Sequence, residues 1–307
     1  MLSSQKFQVK RYKNFILIGI FSAFGATLSW TYACSIWRTQ TNIYKPIEIN
    51  FLKNVIAFFI FSPIILFFDY STNPKYLLIL LLSGIIGIGL GDTFYLKSLN
   101  LIGTRKTLSI EALSPLIAAI AGTLFINENL NLKAWIGIGL VTGALVKIIR
   151  KKNYLLDKDF KLVMSNNSLD KYIYSLLSVF CAVIAALLSR FVLLESDLSP
   201  IFTTEIRLLG SIIFLCLFTK MKLKLFFNNF DGREKRKFII SILMGTNMGI
   251  FLQQIVFQTL PLGIGWTLLS TSPIISLFFT KREEGILTNE IILTTSFLFM
   301  GIVLIIL

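Results

Sequence analysis

Six ionisable side chains stand inside long apolar runs of this chain: Lys53, Asp92, Glu111, Arg190, Glu205 and Arg207. A charge held at mid-depth in a hydrocarbon layer costs roughly 2.5–3.5 kcal/mol on insertion scales unless it finds water or a partner, so such residues face a bundle interior and mark paths for ions, protons or solutes. Asp92 and Tyr95 are three residues apart and share one helix face. Glu111 and Pro115 are four apart; the proline has no N–H to offer the carbonyl of residue 111, which is left free beside the carboxyl group. A carboxyl shielded from water keeps its proton to higher pH, which makes protons a candidate coupling ion through Asp92 or Glu111. Aromatic residues such as Trp30, Tyr32, Tyr95 and Trp266 suit the wall of a pocket for a small organic solute. Gln253 and Gln254 place two amides in an apolar run. Consecutive helix positions point about 100° apart, so at most one need face a pocket, and hydrogen bonding across to a neighbouring helix is the rival role.

Plainer roles compete with these. The long stems of Lys53 and Arg207 could carry their charges out to the membrane surface. Arg190 has Glu195 one helical turn away as a partner near a helix end. Lys53 could pair with an internal acid and orient helices without touching a solute. Other chemistries lack their residues. There is no histidine, so the commonest general base and metal ligand is missing. Cys34, Cys181 and Cys216 have no metal-ligand or disulfide spacing. No nucleotide loop, HExxH or Gly-x-Ser-x-Gly elbow is present. No metal or cofactor is expected, and an intramembrane lipid-modifying enzyme is disfavoured. A receptor or scaffold that moves nothing stays open as the rival; it predicts a centre filled by side chains.

The elements that must carry these residues are membrane helices. The chain has 307 residues, 55% of them hydrophobic, and only 15% are charged; the mean hydropathy is +0.75. With about 20 apolar residues per crossing, ten helices are expected over 14–36, 47–68, 76–98, 107–126, 133–149, 172–194, 199–219, 238–259, 263–280 and 289–307. Backbone groups in lipid must be paired within the segment, so an all-α integral membrane protein is the fold class. The net charge of +14 sits mainly in short connections without the aromatic interleaving of nucleic-acid binders, and suits lipid headgroups better. Most Lys and Arg fall on the side of the first connection, which places both termini outside by the positive-inside rule. Lys6, Lys10, Arg11 and Lys13 of the tail pull the other way.

One pattern occurs twice. Gly91–Pro115 returns 158 residues later as Gly249–Pro273, with Ser83 on Ser241, Gly87 on Gly245 and Ser114 on Ser272. Lys53 stands seven residues after Pro46, and Arg207 seven after Pro200, so two helices carry a cation at the same depth, roughly 10 Å in. Asp92 and Glu111, in contrast, fall on Ile250 and Leu269. Five helices per half make the halves inverted relative to each other, as in alternating-access transporters. The expected units are 1–150, a basic linker 151–171, and 172–307. Gly87 and Gly91, like Gly139 and Gly143, are spaced for close helix contact, while Pro115 and Pro273 would act as hinges.

Trp30, Lys53, Phe94-Tyr95, Pro115, Glu128 and the Gly137/Gly139/Gly143 series, followed by Arg207, Pro273, Glu284 and Gly301, resemble the EamA repeat of the drug/metabolite transporter superfamily. The likeness runs over nearly the whole chain. It departs at Lys53, where the repeat usually has arginine, and at Arg190, where it has tryptophan. The proline-to-glutamate spacing is two residues shorter in the second copy. The resemblance implies a secondary transporter, often an exporter, of amino acids, related metabolites or toxic compounds in the cell membrane. It would use Trp30, Lys53, Asp92, Tyr95, Glu111, Arg207, Gln253, Gln254 and Trp266 around its solute. A monomer is sufficient, and a homodimer is not demanded.

Overall fold

The computed structural model describes residues 2–41, 44–65, 72–151, 171–219, 231–271, 296–297 and 300–305. Eleven α-helices follow in order: α1 Leu2–Gln40, α2 Pro46–Ile65, α3 Pro74–Ser83, α4 Asp92–Glu111, α5 Ser114–Phe125, α6 Leu132–Lys151, α7 Ile173–Glu195, α8 Pro200–Phe218, α9 Gly232–Ser241, α10 Gly249–Thr259 and α11 Leu262–Leu269. Two π-helical segments, Gly84–Gly91 and Ile242–Met248, join α3 to α4 and α9 to α10 without a break. No strand occurs among the described residues. Five of the helical runs there are long and apolar enough to cross a membrane, and large apolar side chains such as Phe21, Phe59, Leu124 and Leu217 point outward. A shell of that kind belongs against lipid, where only backbone paired within its own segment is stable. The chain is a multi-pass helical membrane protein.

Local sequence sets the helix starts. Asn73 Oδ1 accepts from the Lys75 N–H at 3.0 Å and Ser199 Oγ from the Phe202 N–H at 3.3 Å, each just before a proline that is preset for the first helical turn. The first helix begins at Leu2, earlier than the hydropathy suggested, because the basic tail continues it. The connection expected over 99–106 has helical backbone throughout. It nevertheless folds back on itself: Ser98 Oγ and Thr107 Oγ1 meet at 2.8 Å, whereas nine residues of straight helix span about 13.5 Å. The helix expected over 107–126 is interrupted at Ala112–Leu113, and Pro115 opens α5 instead of kinking a continuous rod. Gly139 and Gly143 have open space beside them, and it is Gly137 that lies against the backbone of Gly301. Most of 263–280 and 289–307, with Pro273 and Glu284, lies outside the described residues.

The punctuation of the first half recurs in the second. α3 starts at 74 and α9 at 232; the π segments start at 84 and 242; α4 and α11 stop at 111 and 269, each before a two-residue turn. All of these steps are 158 residues. The packing is reciprocal as well: Gly84–Gly91 lies on α7 and α8, and Ile242–Met248 lies on α1 and α2. Glycine makes both approaches possible. A Cβ on Gly84 would collide with the Arg207 carbonyl and one on Gly210 with the Leu81 backbone, while Gly87 lies against Ala185 and Gly245 against Ala33 and Trp37.

Candidate functional site

The wide turns of a π segment leave carbonyls without ordinary helical partners. Asn50 of α2 supplies them: its Nδ2 donates to the carbonyls of Ile88 at 2.7 Å and Gly89 at 3.1 Å, and to Thr93 Oγ1 at 2.9 Å. The segment is thereby pinned to α2, and Asp92 is the first residue beyond it. One turn along α2 from Asn50, the Lys53 ammonium donates to the Asp92 carboxylate. Lys53 is 2% exposed and its partner 39%. The ammonium also lies 4.9 Å from the centre of the Trp37 ring, a favourable cation–π distance. Lys53 therefore does not reach out to the membrane surface.

Glu111 ends α4, and its carboxylate accepts a hydrogen bond from Ser178 Oγ of α7. The same face of α7 holds the α4 turn, since Ser175 Oγ donates to the Thr107 carbonyl at 3.3 Å. Arg207 on α8 occupies the position equivalent to Lys53 and is equally withdrawn, at 3% exposure. Its Nε and Nη1 have no hydrogen-bond partner among the described residues. Space for the guanidinium comes from Gly87, where a Cβ would stand 3.3 Å from Nη2.

These four charged groups converge on one cavity of about 200 Å³. Its wall also carries Trp30, Tyr95, Gln253 and Trp266, with Gly87, Gly91 and Gly245 from the two π regions. Eight of the nine solute-site residues expected from sequence are thus brought together. Gln254 is not: it is fully buried on the far side of α10, where its Oε1 accepts from Ser189 Oγ at 2.5 Å and Thr203 Oγ1 at 3.2 Å. Tyr32, with 43% exposure, points outward. Pro115 is buried at the head of α5 without lining the cavity; Pro273 lies outside the described residues. Among the lining residues missed are Trp37, Cys34 and Ser178. Trp37 and Cys34 follow Trp30 at seven and four positions, a single helix stripe that periodicity could have found. Ser178 carries no such signal, because only the packing of α7 on α4 brings it to Glu111.

The remaining two buried charges have other places. Arg190 does not pair with Glu195. Its Nε donates to Glu128, beyond the end of α5, and its Nη1 to the Phe257 carbonyl. Glu128 also accepts from the Leu262 N–H at 2.7 Å, so one carboxylate ties the α5–α6 connection to α7 and to the head of α11. Glu205 is fully buried, has no partner for either oxygen among the described residues, and does not line the cavity. No cluster of three or more His, Cys, Asp or Glu is placed to hold a metal among the described residues.

Comparison with known proteins gives a family match over part of the chain and a likeness of fold. Residues 17–150 match the EamA-like transporter family. No curated protein matches the sequence. Among 28 matching solved chains, one titled only as a crystal structure of a protein superposes with a TM-score of 0.70 over 95% of this chain and 97% of its own, at 14% identity. At that identity the likeness is one of fold.

Proposed function

We propose, from the match of residues 17–150 to the EamA-like transporter family, that the chain is a secondary transporter, exporting a small organic metabolite such as an amino acid through the central cavity. One observation carries the reading: four charged side chains from both halves of the chain line a single cavity in the interior of an apolar helical bundle. Buried charge is costly in such a setting and persists where water or solute meets it. A receptor or scaffold would fill that space. In this reading the chain has ten spans as two inverted five-helix repeats, 1–150 and 172–307, joined by the basic linker 151–171. The recurrence of helix starts and stops at 158 residues and the crossed packing of the two π segments support it. Trp30, Tyr95, Gln253 and Trp266 form the wall, and Lys53, Asp92, Glu111 and Arg207 set its charge. The helix breaks before Pro115 and Pro273 act as hinges, the protein works in the cell membrane, and protons at Glu111 are the coupling ion.

The test is uptake into proteoliposomes holding the full-length protein, with a panel of radiolabelled amino acids and organic acids, under an imposed pH gradient and in counterflow without one. Uptake of at least one solute above empty liposomes is expected. Glu111→Gln should abolish the dependence on the gradient while sparing counterflow. No protein-dependent movement of any solute would overturn the reading, and unchanged gradient dependence in the variant would remove the proton from it.

A further inference from the structure

Lys53 and Arg207 hold equivalent positions on α2 and α8, yet their surroundings differ. Lys53 has Asp92 as its counter-charge. The residue equivalent to Asp92 is Ile250, which lines the same cavity and can neutralise nothing. Arg207 is left with a guanidinium 3% exposed and two nitrogens without a partner. An unpaired buried cation is among the costliest groups a protein can hold. Other lining groups without partners are the indole N–H groups of Trp37 and Trp266, both donors, and the Ser114 hydroxyl, which can act either way. Among the partnerless lining groups, donors predominate.

Resting on the transporter reading, we propose that the solute itself supplies the missing carboxylate: Arg207 is an anion subsite for an organic acid. A guanidinium presents parallel N–H groups that match a carboxylate two to two. A singly charged acid is favoured over a phosphate dianion, because each further negative charge on the solute adds repulsion from the resident Asp92 and Glu111 carboxylates. The ring-rich wall of Trp30, Trp37, Tyr95 and Trp266 suits a flat apolar body behind the acid.

Phenylacetate is the probe, with phenylacetamide as its neutral analogue, phenethylamine as its cationic one, and inorganic phosphate as the competing anion. Three of the four tryptophans line the cavity, so intrinsic fluorescence of the full-length protein in nanodiscs reads occupancy. Phenylacetate should bind saturably and at least about tenfold more tightly than the other three, the size of one charge-assisted hydrogen bond. Arg207→Gln should erase the preference for acid over amide. The same variant should melt at a higher temperature than the parent without ligand, since it removes an uncompensated charge, and should lose the rise in melting temperature that phenylacetate gives the parent. Arg207→Lys should keep part of the preference. Absence of saturable phenylacetate binding overturns the proposal. So does equal binding of amide or amine, tighter binding of phosphate, or a preference for acid that survives in Arg207→Gln. Proteoliposomes separate the two readings: an acid bound but never moved leaves the subsite standing and refutes transport, whereas transport without preference for acid does the reverse.

Discussion

Asp92 and Lys53 show how much one residue can decide. With Lys53 only 2% exposed, Asp92→Asn would leave an ammonium in a dry setting with a neutral amide and an indole face. Because Asp92 itself is 39% exposed, the expected loss is below the roughly 3–5 kcal/mol of removing one partner from a fully buried pair. Removing both charges in Lys53→Met/Asp92→Leu should cost much less. Thermal melts of the purified single and double variants check this, and equal losses would show that the pair is not a unit. The six charges inside apolar runs were legible in the sequence because each violates an apolar pattern, and the violation is local. So was the pairing of Lys53 with an internal acid; the other partners were not. Glu195 is one turn from Arg190 along the chain, but the actual partner, Glu128, is a neighbour only after α5 and α7 pack together. Ser178 at Glu111 was hidden for the same reason.

At the scale of elements, the glycines divide by what lies beside them. Gly84→Ala sets a methyl group onto the Arg207 carbonyl, where neither backbone can yield, and the variant should fail to yield a monodisperse peak on size-exclusion chromatography. Gly139 sits inside α6 with nothing near its missing side chain, so Gly139→Ala should stabilise by about 0.5–1 kcal/mol through helix propensity alone. A melt of that variant at or below the parent would contradict the open space. Spacing marked Gly87 and Gly91 just as it marked Gly139 and Gly143, yet only the first pair meets neighbouring helices, since the motif records only that contact is allowed. The π segments were invisible for a related reason: hydropathy has no term for the width of a turn. What the sequence did show was their frame, because Ser83, Gly87 and Gly91 recur at one offset on Ser241, Gly245 and Gly249.

For the molecule as a whole, the contact between Arg190, Glu128, Phe257 and Leu262 ties helix ends together away from the cavity. Glu128 lies beyond the last residue of α5, roughly 17 Å along that helix from the cavity residue Ser114. It bonds Arg190 and Leu262, and Arg190 in turn bonds Phe257. Loss of this contact should loosen those ends. With Cys181 and Cys216 replaced by serine, the cavity residue Cys34 should react several-fold faster with a membrane-impermeant maleimide in Arg190→Met than in the parent. An unchanged rate would show that the contact holds the ends of helices without gating the cavity. The helical membrane class could be read from composition, and the recurrence of helix starts and stops at 158 residues from the period. The crossed arrangement, in which each π segment leans on the opposite half, could not, because nothing along the chain says which copy a helix will meet.

The exchange of an acid for Ile250 also bears on ancestry. A protein assembled from two identical first halves would place a lysine and an aspartate on each side of its centre and quench itself. In the two-repeat reading the acids at 92 and 111 stand against Ile250 and Leu269, and the side of Arg207 is left for a guest molecule to complete.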